Sequence, residues 1–172
     1  MENHRIEKLN ATFKDYSLEQ AFEKLVTLGF SKMAFSTSFG QEDQIIADVI
    51  FKNDYPIEVF TLDTGRLFEA TYKVFEDTQT KYQKKITTYF PERHAVESLI
   101  NEKGPYSFYD SVENRKECCE IRKVNPLQKA LKGVDLWITG LRASQSTDRN
   151  EIKIFGYDAA SGLPKFNPLA HR

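Results

Sequence analysis

The chain's only two cysteines stand side by side, Cys118 and Cys119, inside the basic stretch KECCEIRKVNPLQKAL running from Lys116 to Leu131. Lys116, Arg122 and Lys123 flank them, and nearby cations favour the ionised sulfur that acts as nucleophile or metal ligand. Metal or redox chemistry is therefore the first reading. The plainer alternative is packing, because a free cysteine often serves as a small buried hydrophobe. Adjacent residues of a helix point about 100° apart, so one apolar face does not readily take both side chains. A disulfide between sequence neighbours would close a strained small ring, far from ordinary bridge geometry.

Three polar turns offer chemistry of a different kind. Ser36, Thr37, Ser38 and Gly40 stand just before a helix start, where unpaired backbone N–H groups and the positive end of the dipole attract an anion. A Walker loop is excluded, since the G-x-x-x-x-G-K-[ST] pattern is missing, and a simple helix cap is the alternative. Asp63, Thr64, Gly65 and Arg66 combine a carboxylate, a flexible residue and a guanidinium at a strand end. Such a turn suits a sugar hydroxyl or a purine edge, unless Asp63 only caps the next helix and Arg66 faces water. Arg142, Gln145, Ser146 and Arg149 concentrate two cations and two hydrogen-bonding groups, and arginine suits bidentate binding of phosphate or sulfate. A solvated loop is the alternative there. His4, His94 and His171 show no metal-like spacing, and Trp137 reads as core.

These turns need elements to hold them. Ser17 before LEQAFEKLVTL and Gly29 after it predict a helix over Leu18 to Leu28. KMAFSTSFG reads as a strand feeding the loop Ser36 to Gly40, and QEDQIIADVIFKN as a helix through Ile45, Ile46, Val49 and Ile50. Ile57 to Leu62 is a buried-type strand, Phe68 to Gln83 a helix with Tyr72, Phe75 and Tyr82 along one side, and Lys85 to Phe90 a strand. Ala95 to Glu102 predicts a helix, ended by the Gly104-Pro105 break. A helix through the cysteines runs to about Leu131 with an interruption near Pro126. Asp135 to Gly140 is a strand, and a hairpin around Ala159 to Gly162 leads into an extended tail. Strands separated by helices predict an α/β fold, an open and mostly parallel sheet with helices on both faces. Ligands of such sheets gather beyond the carboxyl ends of the strands, which is where all three polar turns fall.

Composition narrows the function classes. The chain has 172 residues, 24 basic and 25 acidic, which fits one domain and gives no electrostatic reason to expect nucleic acid or a membrane surface as partner. No run approaches the ~18 apolar residues of a spanning helix, and Met1 to Asn10 is polar, unlike a signal peptide. A cytoplasmic location is expected, and the absence of a disulfide framework agrees with a reducing compartment.

FSTSFGQEDQ (Phe35 to Gln44), TLDTGRLFEATY (Thr61 to Tyr72), CCEIRKVNPL (Cys118 to Leu127) and WITGLRASQSTDR (Trp137 to Arg149), in this order, resemble the assimilatory adenylyl-sulfate reductases. These are the iron–sulfur branch of the adenylyl-sulfate and phosphoadenylyl-sulfate reductase family, with a PP-loop fold of the adenine nucleotide alpha hydrolase type. The resemblance implies that Ser36, Ser38, Gly40 and Asp43 form the PP-loop holding the nucleotide, and that Leu62, Asp63, Thr64, Gly65 and Arg66 form the second substrate loop. Arg142, Gln145, Ser146 and Arg149 become the arginine loop over the phosphosulfate. Cys118 and Cys119 become the first pair of ligands to a 4Fe-4S cluster, with Lys123 placed between cluster and substrate. The LDTGR form, with the paired cysteines, implies the unphosphorylated nucleotide, adenylyl sulfate, with AMP as product.

The implied reaction is attack of a thiolate on the sulfate sulfur, expelling AMP and leaving an enzyme thiosulfonate, from which thioredoxin or glutaredoxin releases sulfite. Two departures stand out. The family's usual LFPETY is LFEATY here, and a cubane is held by four thiolates where this sequence has two. The family's later C-x-x-C and C-terminal nucleophilic cysteine have no counterpart, so the expectation is a single domain over 1–172 that matches the N-terminal part of the family. A second reading is a non-catalytic adenine-nucleotide-binding module, or a homo-oligomer whose chains pool four cysteines. Lesser alternatives are a phosphoadenylyl-sulfate reductase and a PP-loop pyrophosphatase, the last disfavoured because SGGxDS is missing.

Overall fold

The computed structural model describes residues 3–143 and 152–172. Helices α1 (Asn3–Phe13) and α2 (Leu18–Leu25) lead into strand β1 (Met33–Ser36). Helix α3 (Gln41–Lys52), strand β2 (Ile57–Leu62), helix α4 (Glu69–Tyr82), strand β3 (Thr87–Tyr89) and helix α5 (Arg93–Lys103) follow. The cysteine segment is α6 (Val112–Cys119), a π-turn at Glu120–Val124, and α7 (Asn125–Ala130). Strand β4 (Leu136–Ile138) and the hairpin β5 (Phe155–Asp158) and β6 (Leu163–Phe166) finish the sheet.

Strand order is β3-β2-β1-β4-β6-β5. All neighbours are parallel except β5 with β6, as the alternation of strands and helices predicts. From β1 the chain moves outward to β2 and β3, then returns to place β4 on the other side of β1. That reversal is a topological switch point, and it opens a crevice beyond the carboxyl ends of β1 and β4.

Alternation along the strands divides the core between two faces. Phe35, Leu136, Ile138 and Phe166 belong to the larger cluster with Phe13, Phe22, Leu25, Ile46 and Ile50 of α1, α2 and α3. Ala34, Phe60 and Trp137 belong to a smaller cluster with Ala130, Leu131 and Val134 at and after α7. Ser17 closes a capping box with Gln20 at the start of α2, satisfying donors that would otherwise be orphaned.

Helix α1 lies within a stretch that the sequence marks only as polar. Ile6, Leu9 and Phe13 bury one narrow face of it, and Asn10 completes its docking. The Asn10 amide donates to the Phe155 carbonyl at 2.8 Å and accepts from the Phe155 N–H at 2.9 Å. A side-chain amide thus stands in for a strand neighbour on edge strand β5. Strand β3 is shorter than the span Lys85 to Phe90 predicts. The tail after Gly162 is β6, which pairs parallel to β4 at Trp137↔Lys165 and Ile138↔Phe166. No helix among the described residues is long and apolar enough to cross a membrane.

Candidate nucleotide site

The crevice at the switch point is a cavity of about 510 Å³ lined by the turn after β1, the ends of β2 and β4, and parts of α3, α4, α7 and β6. In the β1 turn the Thr37 N–H bonds the Phe60 carbonyl at 2.8 Å, and the Thr37 hydroxyl accepts from the Phe39 N–H at 3.0 Å. Phe39 has φ 64°, a conformation costly for a bulky residue. Its ring is buried and stacked on Phe75 at 4.8 Å, and this packing stabilises the turn.

Gly40 caps α3 without a side-chain hydrogen bond. Asp43, in the first turn of α3, points back and its Oδ2 accepts from the Ser38 N–H at 2.6 Å and the Ser38 hydroxyl at 2.7 Å. Asp43 is buried. Burial pushes its carboxyl above the ordinary range, the two Ser38 bonds pull the other way, and the Glu42 charge adds to the rise. The helix start therefore already has a carboxylate of its own chain at Ser38, so it is a less open anion cradle than the run of hydroxyls suggests.

Gly140 at the end of β4 leaves room for that carboxylate: a Cβ there would lie 2.1 Å from Asp43 Oδ1. Trp137 donates its indole N–H to the Ser36 hydroxyl at 2.9 Å, so this core residue also forms a wall of the cavity. The Thr139 hydroxyl bonds Asn167 Oδ1 at 2.6 Å, tying the ends of β4 and β6 together.

Of the residues singled out by sequence, Ser36, Ser38, Gly40, Asp43 and Leu62 line the cavity. Asp63 is buried just behind Leu62. Its carboxylate accepts from the Tyr72 hydroxyl at 3.0 and 2.8 Å and from the Gly65 N–H at 2.8 Å. The Asp63 hydrogen bond is the main cause holding the Tyr72 phenol above its ordinary range. Thr64, Gly65 and Arg66 are outside the lining. Arg66 bonds the Pro105 carbonyl at 2.5 Å and lies over the rings of Tyr106 and Phe108 at 5.1 and 5.0 Å. Arg142 sits beside the cavity, its Nη2 2.5 Å from Glu42 Oε1. Gln145, Ser146 and Arg149 lie outside the described residues.

Cys118 and Cys119 are half-buried free thiols at the end of α6, directly before the π-turn. Such turns are frequent at functional positions. Lys123 is exposed. Its neighbour Arg122 is buried and donates from Nη1 to the Thr64 carbonyl at 2.6 Å, while its Nε has no partner among the described residues. Arg122 thus links the cysteine segment to the turn after β2. Sequence reading takes Arg122 only as a cation beside the cysteines and does not single out Gly140 or Lys165, both in the cavity wall.

A cubane cluster needs four thiolates. This sequence has two, and among the described residues no three His, Cys, Asp or Glu side chains gather as a metal site. The donors present do not complete such a cluster.

An open, mostly parallel sheet with a nucleotide-sized, mainly apolar cavity at its switch point defines the class: an α/β domain of the PP-loop type. The match to the phosphoadenosine phosphosulfate reductase domain covers residues 32–172, and the chain belongs to that family. Adenosine 5'-phosphosulfate reductase of Allochromatium vinosum is 44% identical over 138 residues, covering 80% of this chain and 54% of that protein. The protein of the same name from Sinorhizobium fredii USDA 257 is 43% identical over 155 residues, covering 90% of this chain and 62% of its own length. The chain thus spans little more than half the length of these relatives. The crystal structure of phosphoadenylyl-sulfate (PAPS) reductase from Candida auris, a phosphate complex, superposes with a TM-score of 0.82 at 26% identity, over 98% of this chain and 80% of that one. FMN adenylyltransferase of Candida glabrata, in complex with ATP, shares the fold at TM-score 0.55 and 13% identity.

Proposed function

We propose that this chain is the nucleotide-holding part of an adenylyl-sulfate reductase, the enzyme that reduces adenylyl sulfate to sulfite and AMP with thioredoxin or glutaredoxin. The observation that carries the reading is the cavity at the β1/β4 switch point, whose wall is built from Ser36, Ser38, Asp43 and Leu62. The relatives' names supply the sulfated adenine nucleotide. In this reading Leu62 and Trp137 provide apolar surface for a base, and the hydroxyls of Ser36, Thr37 and Thr139 provide partners for ribose and phosphate oxygens. Arg142, released from Glu42, turns to the phosphosulfate with Arg149.

The cysteines are read as two of the thiolates of a cluster shell whose other members lie outside this chain. Arg122 joins the segment carrying them to the substrate loop. Turnover requires a thiolate to attack the sulfur and AMP to leave with the S–O bonding pair. A dithiol then releases sulfite and becomes a disulfide.

Calorimetry of the full chain with AMP and with adenylyl sulfate tests the reading. Saturable binding of both, one per chain, is expected without turnover. No binding of either up to about 1 mM, weaker than about −4 kcal/mol, removes it.

A further inference from the structure

Lys165 is the one lysine or arginine among the described residues that line the cavity. It arrives there because β6 pairs with β4, which sets Lys165 opposite Trp137 on the same sheet face. The side chain is 18% exposed, and its Nζ lies 4.3 Å over the Trp137 ring. The nearest carboxylate oxygen, Oδ1 of Asp158, is 3.7 Å away, beyond hydrogen-bond reach. Asp158 Oδ2 meanwhile accepts from the Ser161 N–H at 2.9 Å. The ammonium is thus ion-paired with Asp158 but makes no contact of ordinary hydrogen-bond length among the described residues, and it borders a cavity large enough for a mononucleotide. Burial holds the ammonium below the usual lysine range, with Asp158 acting in the opposite direction.

The other charged side chains of the cavity wall are carboxylates that already have partners. Asp43 is bonded by Ser38, and Glu42 is paired with Arg142. A role confined to the hairpin, as a cross-strand ion pair with Asp158, does not account for the burial. The same two side chains on the solvent face of β5 and β6 would attract each other without desolvation.

We propose that Lys165 is the anion contact of this cavity, donating to a phosphate oxygen of the bound adenine nucleotide. The inference rests on the nucleotide reading above and adds a residue and an atom to it.

The test is calorimetry of the full chain with adenosine and with AMP, on wild type, Lys165→Met and Asp158→Asn. Methionine keeps an apolar stem against Trp137 while removing the charge. Wild type is expected to bind AMP more tightly than adenosine. Lys165→Met should lose about tenfold or more in AMP affinity and keep its adenosine affinity within about twofold. Asp158→Asn should bind AMP at least as well as wild type.

Equal losses for AMP and adenosine in Lys165→Met would mean a packing role and overturn the proposal, as would unchanged AMP binding. Asp158→Asn losing AMP to the same degree would assign Lys165 to the hairpin pair and overturn it too. Wild type that binds neither ligand removes the nucleotide reading itself, so the two failures are distinct. If Lys165→Met does not fold, Lys165→Gln replaces it with the same outcomes read.

Discussion

At the carboxyl ends of the central strands Thr37, Asp43, Trp137 and Thr139 are all buried around the cavity, whereas α6, which carries the sulfur pair, buries none of its residues. Both regions contain polar groups of functional type. In the first, packing on two sheet faces fixes each group before any ligand arrives. In the second, two thiols stand half-exposed on a short helix, held through the π-turn and Arg122. The difference teaches that the cavity is rigidly built, as the proposed nucleotide role requires, and that the chain is under-packed where it presents sulfur. Preorganisation lowers the cost of binding, while the sulfur segment depends on further contacts for its rigidity.

The largest test of the contrast is Gly140→Ala. A methyl group 2.1 Å from Asp43 Oδ1 and 3.3 Å from its Cγ must push the carboxylate off Ser38. Overpacking costs about 1–3 kcal/mol, and the displaced carboxylate enters the cavity. The variant should show a lower midpoint in urea unfolding and lose AMP binding by about tenfold or more. Wild-type affinity in Gly140→Ala would show that the Asp43 and Ser38 contact is not part of the binding wall.

Arg122 is the joint between the two regions. Arg122→Ala leaves the Thr64 carbonyl without its donor and opens a void, a loss of about 2 kcal/mol by hydrogen bond and packing together. Arg122→Met fills most of the void and removes a buried charge whose Nε has no partner, so it should lose less. In both variants iodoacetamide should alkylate Cys118 and Cys119 faster, because the segment has lost its tie to the turn after β2. Unchanged alkylation with lowered stability would separate the sulfur segment from that turn.

How much of this was legible in the sequence follows from which interactions are local. The β1 turn, the α3 start and the strand and helix alternation are signalled by neighbours in the chain, so the sheet and the position of the crevice could be read from it. Lys165 reads as a surface residue of a hairpin, and only the parallel pairing of β6 with β4 carries it to the cavity. Arg122 looks equivalent to Lys123, yet the π-turn and the contact with Thr64 make one buried and the other exposed. Gly140 carries no visible sign of Asp43, which is distant in sequence. Helix α1 is hard to read from sequence because three apolar residues, Ile6, Leu9 and Phe13, are a thin stripe beside many polar ones; their i, i+3, i+7 spacing is the available signal.

Asp43 gives the contrast a pH dependence. Its native carboxyl is raised by burial, so the folded chain keeps this proton to higher pH than the unfolded chain, whose Asp titrates near about 3.9. Below that value the group carries no penalty. Stability should then fall as pH rises from there through the raised native value, and the penalty stays above it. Asp43→Asn, whose amide oxygen can still accept from Ser38, should flatten this part of the urea midpoint against pH. A slope that persists in the variant would have to come from another group.

The smallest effect is expected at the cysteines, and its smallness is the point of the comparison. Cys118 and Cys119 have no disulfide and lie on a helix with no buried residues, so Ser in place of either changes little that packing depends on. Cys118→Ser, Cys119→Ser and the double variant should each unfold within about 0.5 kcal/mol of wild type and bind AMP with unchanged affinity. The cavity wall does not include α6, and its hydrogen bonds run among the turn after β1, α3, β2, β4 and the residue after β6. A marked loss of AMP affinity in the double variant would mean that the thiols touch the ligand or brace the wall, and the separation between a finished binding half and an open sulfur half would fail. Unchanged affinity together with lost reductase activity in a full-length relative carrying the same pair of substitutions would assign the sulfur pair to chemistry alone, the division that these two styles of packing express.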